Sequence, residues 1–111
     1  MKDNEKIAYL AGLIDGEGHF YRPLSKNGRG DRYYQFRIVI SQSTRTVLEW
    51  AKIHFGGCVT TLKTKDGYTS YQWVLCGKGA EALAREMSPF LIVKKDQLQK
   101  VFNDVKTIND A

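Results

Sequence analysis

Apolar side chains run from Ile7 to Ile14 with only Gly12 interrupting them, and the run stops at Asp15-Gly16-Glu17-Gly18. At 100° per residue, Ile7, Leu10, Ala11 and Ile14 form one stripe, and Ala8, Gly12 and Gly16 form a second, smaller one. A helix apolar on every side is predicted to be enclosed by protein. After Gly18 the period changes to two. Phe20 is expected inward, with His19 and Tyr21 outward, before Pro23 and a polar loop over residues 25–31. From Arg32 to Ile40 the alternation predicts one half-buried strand, with Tyr34, Phe36, Ile38 and Ile40 inward. Its outer face would carry Tyr33, Gln35, Arg37 and Val39. A helix follows, with Thr46 and Glu49 as a capping box and Val47, Leu48, Trp50, Ala51 and Phe55 as its core stripe. His54 is expected on the core side of that helix as a structural residue, and Gly56-Gly57 end it.

A second hairpin is predicted over residues 59–64 and 68–76, turned by Asp66-Gly67. In its second strand Tyr71, Trp73 and Leu75 point inward, leaving Ser70, Gln72 and Val74 outward. Residues 80–87 read as a helix stopped by Ser88-Pro89. A last helix over about residues 95–107 places Leu98, Val101, Phe102 and Val105 on one face. The order is helix, hairpin, helix, hairpin, helix, helix.

Composition narrows the function classes. A chain of 111 residues supports one domain, residues 1–111, around one core. A net charge of +5 suits a polyanionic partner without identifying one. No apolar run approaches the roughly 20 residues of a membrane span, so no membrane partner is expected. Cys58 and Cys76 have neither zinc-site spacing nor the number for a disulfide framework; both are expected to pack as small reduced hydrophobes in a soluble intracellular protein, a single bridge between them being the alternative. Asp3 and Glu5 dilute the positive start that a secretory signal needs, and acids replace its small cleavage-site residues.

The acids at the end of the first helix change the picture. The helix dipole disfavours Asp15 and Glu17 at a C-terminus, and Gly12 costs about 1 kcal/mol against alanine. A segment that gives up stability twice points to an active site. Leu10 to Gly18 reads LAGLIDGEG. It resembles the LAGLIDADG signature of homing endonucleases, differing at Gly16 and Glu17, and the second change keeps the acid. The element order also matches, so the resemblance covers nearly the whole chain. It implies an α+β fold of αββαββα order, with a four-stranded antiparallel saddle sheet and helices on one face.

The resemblance implies a site-specific, metal-dependent double-strand DNA endonuclease. With one motif per chain, it implies a homodimer packed through Ala8, Gly12, Asp15 and Gly16, acting on a pseudo-palindromic site. Glu17 stands where the family places its metal-ligating acid, helped by the Gly16 carbonyl. The cofactor would be Mg2+, or another hard cation such as Mn2+ or Ca2+. Asp15 would organise the helix end rather than hold metal. Gln42 resembles the residue that positions water, and Lys94 the basic residue near the scissile phosphate. A second basic group of the family has no clear counterpart, Arg45 being nearest and Thr46 the aligned position.

The open sheet face would read double-stranded DNA through Tyr33, Gln35, Arg37, Thr61, Lys63, Ser70 and Gln72. His19 and Tyr21 would join them, and Lys26, Arg29 and Arg32 would hold phosphates. An ordinary solvated sheet face is the bland alternative. A second reading keeps the fold without the reaction, as an intron RNA maturase or a DNA-binding transcription regulator. A third is a basic scaffold domain with no nucleic acid.

Overall fold

The computed structural model describes the backbone of residues 1–26, 28–30 and 32–110, and side chains other than those of residues 24–27, 31–32 and 104–111. Helix α1 spans Asp3–Glu17, followed by strands β1 (Gly18–Tyr21), β2 (Leu24–Lys26), β3 (Arg32–Tyr34) and β4 (Arg37–Gln42). Helix α2 (Thr46–Phe55) leads to strands β5 (Cys58–Lys63) and β6 (Thr69–Cys76). Helix α3 (Lys78–Met87), a 3-10 turn (Ser88–Phe90) and helix α4 (Lys95–Asp110) complete the chain. Four strands form an antiparallel sheet in the order β1-β4-β6-β5, and β2 and β3 pair as a separate ribbon. Among the described residues, no helix is long and apolar enough to cross a membrane.

The expected stripes build the core. Leu10, Ala11 and Ile14 of α1 are buried against Phe20, Ile38, Ile40 and Trp73 of the sheet. Leu48 and Ala51, Ala80 and Ala84, and Leu98 close the layer from α2, α3 and α4. Each large apolar side chain so buried contributes about 1.5–3 kcal/mol. The indole of Trp73 donates to the Gly56 carbonyl at 2.8 Å, so its polar atom is not stranded. Two glycines are required by this geometry. A Cβ at Gly18 would lie 2.9 Å from both the Ile14 Cα and the Val39 carbonyl oxygen. Gly57 has φ +88° and would press a Cβ to 2.5 Å from the Val74 carbonyl oxygen.

Several expectations need correction. The strand predicted from 32 to 40 breaks at Gln35-Phe36, where the Phe36 carbonyl accepts from Gly77 and the Gln35 amide donates to Pro23. These long-range bonds take the backbone out of the ladder and turn Phe36 into the core, stacked on Phe102 at 5.6 Å. Tyr34 therefore follows the β2–β3 ribbon and is exposed rather than inward. Part of the expected polar loop forms that ribbon, since Ser25 and Lys26 belong to β2. Val39 keeps its outward parity yet is only 2% exposed, because β4 is an inner strand and His19 and Val74 flank it in register.

The capping box at Thr46 does not form. Arg45 occupies the cap position without a side-chain cap bond, and Glu49 instead pairs with the Arg45 Nε at 2.6 Å. His54 is exposed beside Trp50 rather than on the core side. In β5, register pairs Thr61 with Tyr71 and Lys63 with Thr69, on the inward parity of Trp73. Thr60 and Leu62 share the outer face with Gln72 and Ser70 instead. The sequence between Val59 and Leu62 does not alternate, so only the pairing across the turn assigns its face. The expected place of Val105 on the last helix falls on a side chain outside the described residues.

Candidate functional site

Helix α1 runs directly into β1, which sets Glu17 at the junction of the helical layer and the sheet. Glu17 is exposed and has no hydrogen bond or ion pair among the described residues. The Gly16 carbonyl belongs to the last helical turn, whose carbonyls lack intrahelical partners. An unpartnered carboxylate beside free carbonyl oxygens is a hard, all-oxygen donor set, the kind that suits Mg2+, Mn2+ or Ca2+. Among the described residues, no three His, Cys, Asp or Glu side chains gather as a metal cage.

Asp15 does something that its place in the motif does not announce. Its carboxylate accepts the backbone amides of Ile92, Val93 and Lys94 at 2.7, 3.1 and 2.9 Å. That clamp fixes the segment before α4 against the end of α1 and brings Lys94 beside the sheet. Lys94 lies near enough to His19 for its charge, after partial burial, to lower the His19 pKa. Burial is the larger cause and Lys94 the smaller, both acting downward from the ordinary 6.5. A second tie, unforeseen from the sequence, runs from the Phe20 amide to the Gln97 side chain at 2.9 Å. Asp15→Ala should cost about 2–3 kcal/mol, since hydrogen bonds to charged groups are the stronger kind. Hydrogen exchange should show the amides of residues 92–94 losing protection while β4 and β6 keep theirs. Unchanged exchange at those amides would remove the clamp from the account.

Glu17, Gly16, His19 and Lys94 thus come together. Gln42 ends β4, two residues past the Ile40 that pairs with Gly18, so the register carries it to the same end of the sheet. Its parity is that of Ile38 and Ile40, and it is half-buried. Ser41, exposed on the open face at the same end, was not singled out by sequence. Arg45 and Thr46 are both exposed at the start of α2, and the Arg45 charge is engaged by Glu49.

The open face carries His19 and Tyr21 with ring centroids 5.1 Å apart, followed by Arg37, Ser70 and Gln72. Gln35 accepts from Arg37 Nε and Nη2 at 3.3 and 3.2 Å. A hydrogen bond with Tyr21 is the main cause of a raised Arg37 pKa, outweighing burial, with Cys76 and Tyr33 adding to it. Tyr33 is exposed, as is Arg29 in the turn between β2 and β3. The side chains of Lys26 and Arg32 lie outside the described residues. On α1, Ala8 is half-buried and Gly12 exposed, and a Cβ at Gly12 or Gly16 would meet nothing within 4 Å. The predicted enclosure of α1 is therefore incomplete within one chain.

Comparison with known proteins follows the same lines. The structure of the homing endonuclease I-CvuI with its DNA target superposes with a TM-score of 0.72, at 23% identity, over 94% of this chain and 68% of that one. The archaeal intron-encoded homing endonuclease I-Vdi141I, complexed with DNA, matches with a TM-score of 0.71 and 22% identity, over 99% and 72% of the two chains. The meganuclease I-CpaMI matches with a TM-score of 0.67 at 16% identity, but this chain spans only 37% of it. At these identities the likeness shows the fold. No curated protein matches the sequence. Residues 10–83 match the family model described as LAGLIDADG endonuclease, a span from the nonapeptide through both hairpins into α3. The chain belongs to the LAGLIDADG endonuclease family.

Proposed function

We propose that this protein is a site-specific, metal-dependent double-strand DNA endonuclease of the homing type, with residues 1–111 acting as one domain within a homodimer. The observation that carries the reading is Glu17: an acid without a partner among the described residues, at the end of a helix where no described atom lies within 4 Å of a Cβ at Gly12 or Gly16. Two chains packed along Ala8, Gly12, Asp15 and Gly16 would bring both Glu17 side chains to one two-fold axis. Ile92 and Val93 support that seam, since both are exposed and both are tied to Asp15, one turn from Gly12.

Glu17 and the Gly16 carbonyl of each chain would hold Mg2+, or Mn2+ or Ca2+, together with substrate phosphates. Such an ion supplies Lewis acidity at the scissile phosphodiester and lowers the pKa of the attacking water. I-CvuI has been crystallised with its target in 2 mM Ca and, with another target left uncleaved, in 2 mM Mg, which fits divalent-ion use in this fold. Lys94 would stand near the scissile phosphate, its charge answering the one that builds there. Gln42 would orient water at the same end of the sheet. His19 would touch DNA near the cleavage point. Tyr21, Tyr33, Gln35, Arg37, Ser70 and Gln72 would meet base edges, and Lys26, Arg29 and Arg32 the phosphates.

A library of randomised duplexes, incubated with and without Mg2+, tests this directly. Cleavage at a roughly palindromic site, only with the ion, is expected. Affinity for that site should fall on the order of 10^3-fold or more between 50 and 200 mM salt, because phosphate contacts release counterions. Salt-dependent binding with no cleavage under any divalent ion would move the chain to the non-catalytic reading. A flat salt response would leave only a scaffold.

A further inference from the structure

Resting on the DNA endonuclease reading, we propose that Arg37 reads a guanine in the major groove, one per half-site, about four base pairs outward from the phosphate that Glu17 addresses.

The position follows from the ladder. β1 leaves Glu17 and pairs Tyr21 with Arg37, four residues on. At about 3.3 Å per residue this is roughly 13 Å, or four base pairs at about 3.4 Å each. The face follows from parity, because Ile38 and Ile40 are buried on the helical side and Arg37 alternates with them. The strand order makes β4 an inner strand, so Arg37 stands on the floor of the sheet rather than on its rim. A floor residue meets the floor of a groove, where base edges are, while rim residues meet phosphates.

The guanidinium is already oriented. Gln35 takes Nε–H and one Nη2–H, the side-on edge of the fork. Tyr21 pairs with Arg37 in the register of β1 and β4, on the same face. Of the five N–H donors of arginine, Gln35 takes two, and the end-on edge that it leaves open matches the O6 and N7 acceptors of guanine. The Gln35 amide is neutral, and among the described residues no acid pairs with Arg37. Its charge is therefore held in place without being cancelled. Gln35 acts as a positioning residue, lowering the entropy lost when the fork engages a base.

The test is a base-preference profile of the full-length protein on randomised duplexes, read by bound and cleaved fractions. Wild type should prefer guanine about 10-fold or more at one pair of symmetry-related positions. Arg37→Ala should flatten the profile there and nowhere else, and Arg37→Gln should move the preference to adenine. Gln35→Leu should weaken the guanine preference several-fold at that position only, a readout that a merely structural role would not move. Thermal midpoints of all three variants should stay close to wild type, since neither side chain is in the core. An unchanged profile in Arg37→Ala overturns this inference and leaves the endonuclease reading intact. So does a uniform loss of affinity with a shallower salt slope, which would make Arg37 a phosphate contact. Absence of DNA binding by wild type would overturn both.

Discussion

Glu17→Gln leaves specific DNA binding near wild type and lowers cleavage at least about 10^3-fold, a loss of on the order of 4 kcal/mol at the transition state. The amide keeps the size of the side chain but removes the charge that a hard cation requires. Binding should survive because the residues proposed to read and hold DNA lie along the open face, away from the end of α1. The side chain is exposed and makes no contact that the fold needs, so stability should not change. Glu17→Asp, which keeps the acid with one methylene fewer, should retain cleavage. Single-turnover cleavage and a binding titration in Ca2+ separate these effects. Equal loss of binding and cleavage in Glu17→Gln would give Glu17 a structural role and remove the basis of the proposed chemistry.

Gly12→Leu converts the protein to a monomer that no longer cuts both strands. Within one chain the substitution has room, because nothing stands within 4 Å of a Cβ at that position. Helix propensity should even favour it, by somewhat under 1 kcal/mol relative to glycine. Only a second helix approaching along Ala8, Gly12 and Gly16 would meet the new side chain. Sedimentation at micromolar concentration, with circular dichroism as a check on folding, reads the outcome. A Gly12→Leu protein that remains dimeric and active would place the seam elsewhere, or show that none is needed. A wild type that is monomeric at the same concentration would be equally damaging.

The elements and most of the core were legible because each rests on a local period. Leu10, Ala11 and Ile14 repeat at helical spacing, and Ile38, Ile40 and Trp73 fall on strand alternation, so their burial follows from periodicity and apolar character. The nonapeptide carried the family because its residues are contiguous, and Glu17 could be singled out by sequence for the same reason. Thr61 and Lys63 were misplaced because β5 has no clean alternation, and its face is decided by pairing with β6. Val39 is buried through cross-strand neighbours, and the strand from Arg32 breaks where Pro23 and Gly77 bind its backbone.

By itself, the sequence determined the order of the four helices, the strands of the main sheet, the buried stripe of the first helix, and which acid stands at its end. Tertiary structure alone decided that Asp15 reaches across 77 to 79 residues to clamp the start of α4. It likewise decided that the Lys94 charge acts on His19, that Tyr21 pairs in register with Arg37, and that Gln35 accepts from the Arg37 guanidinium. Periodicity is a property of neighbours along the chain, whereas register and long-range hydrogen bonds depend on which distant backbone arrives alongside.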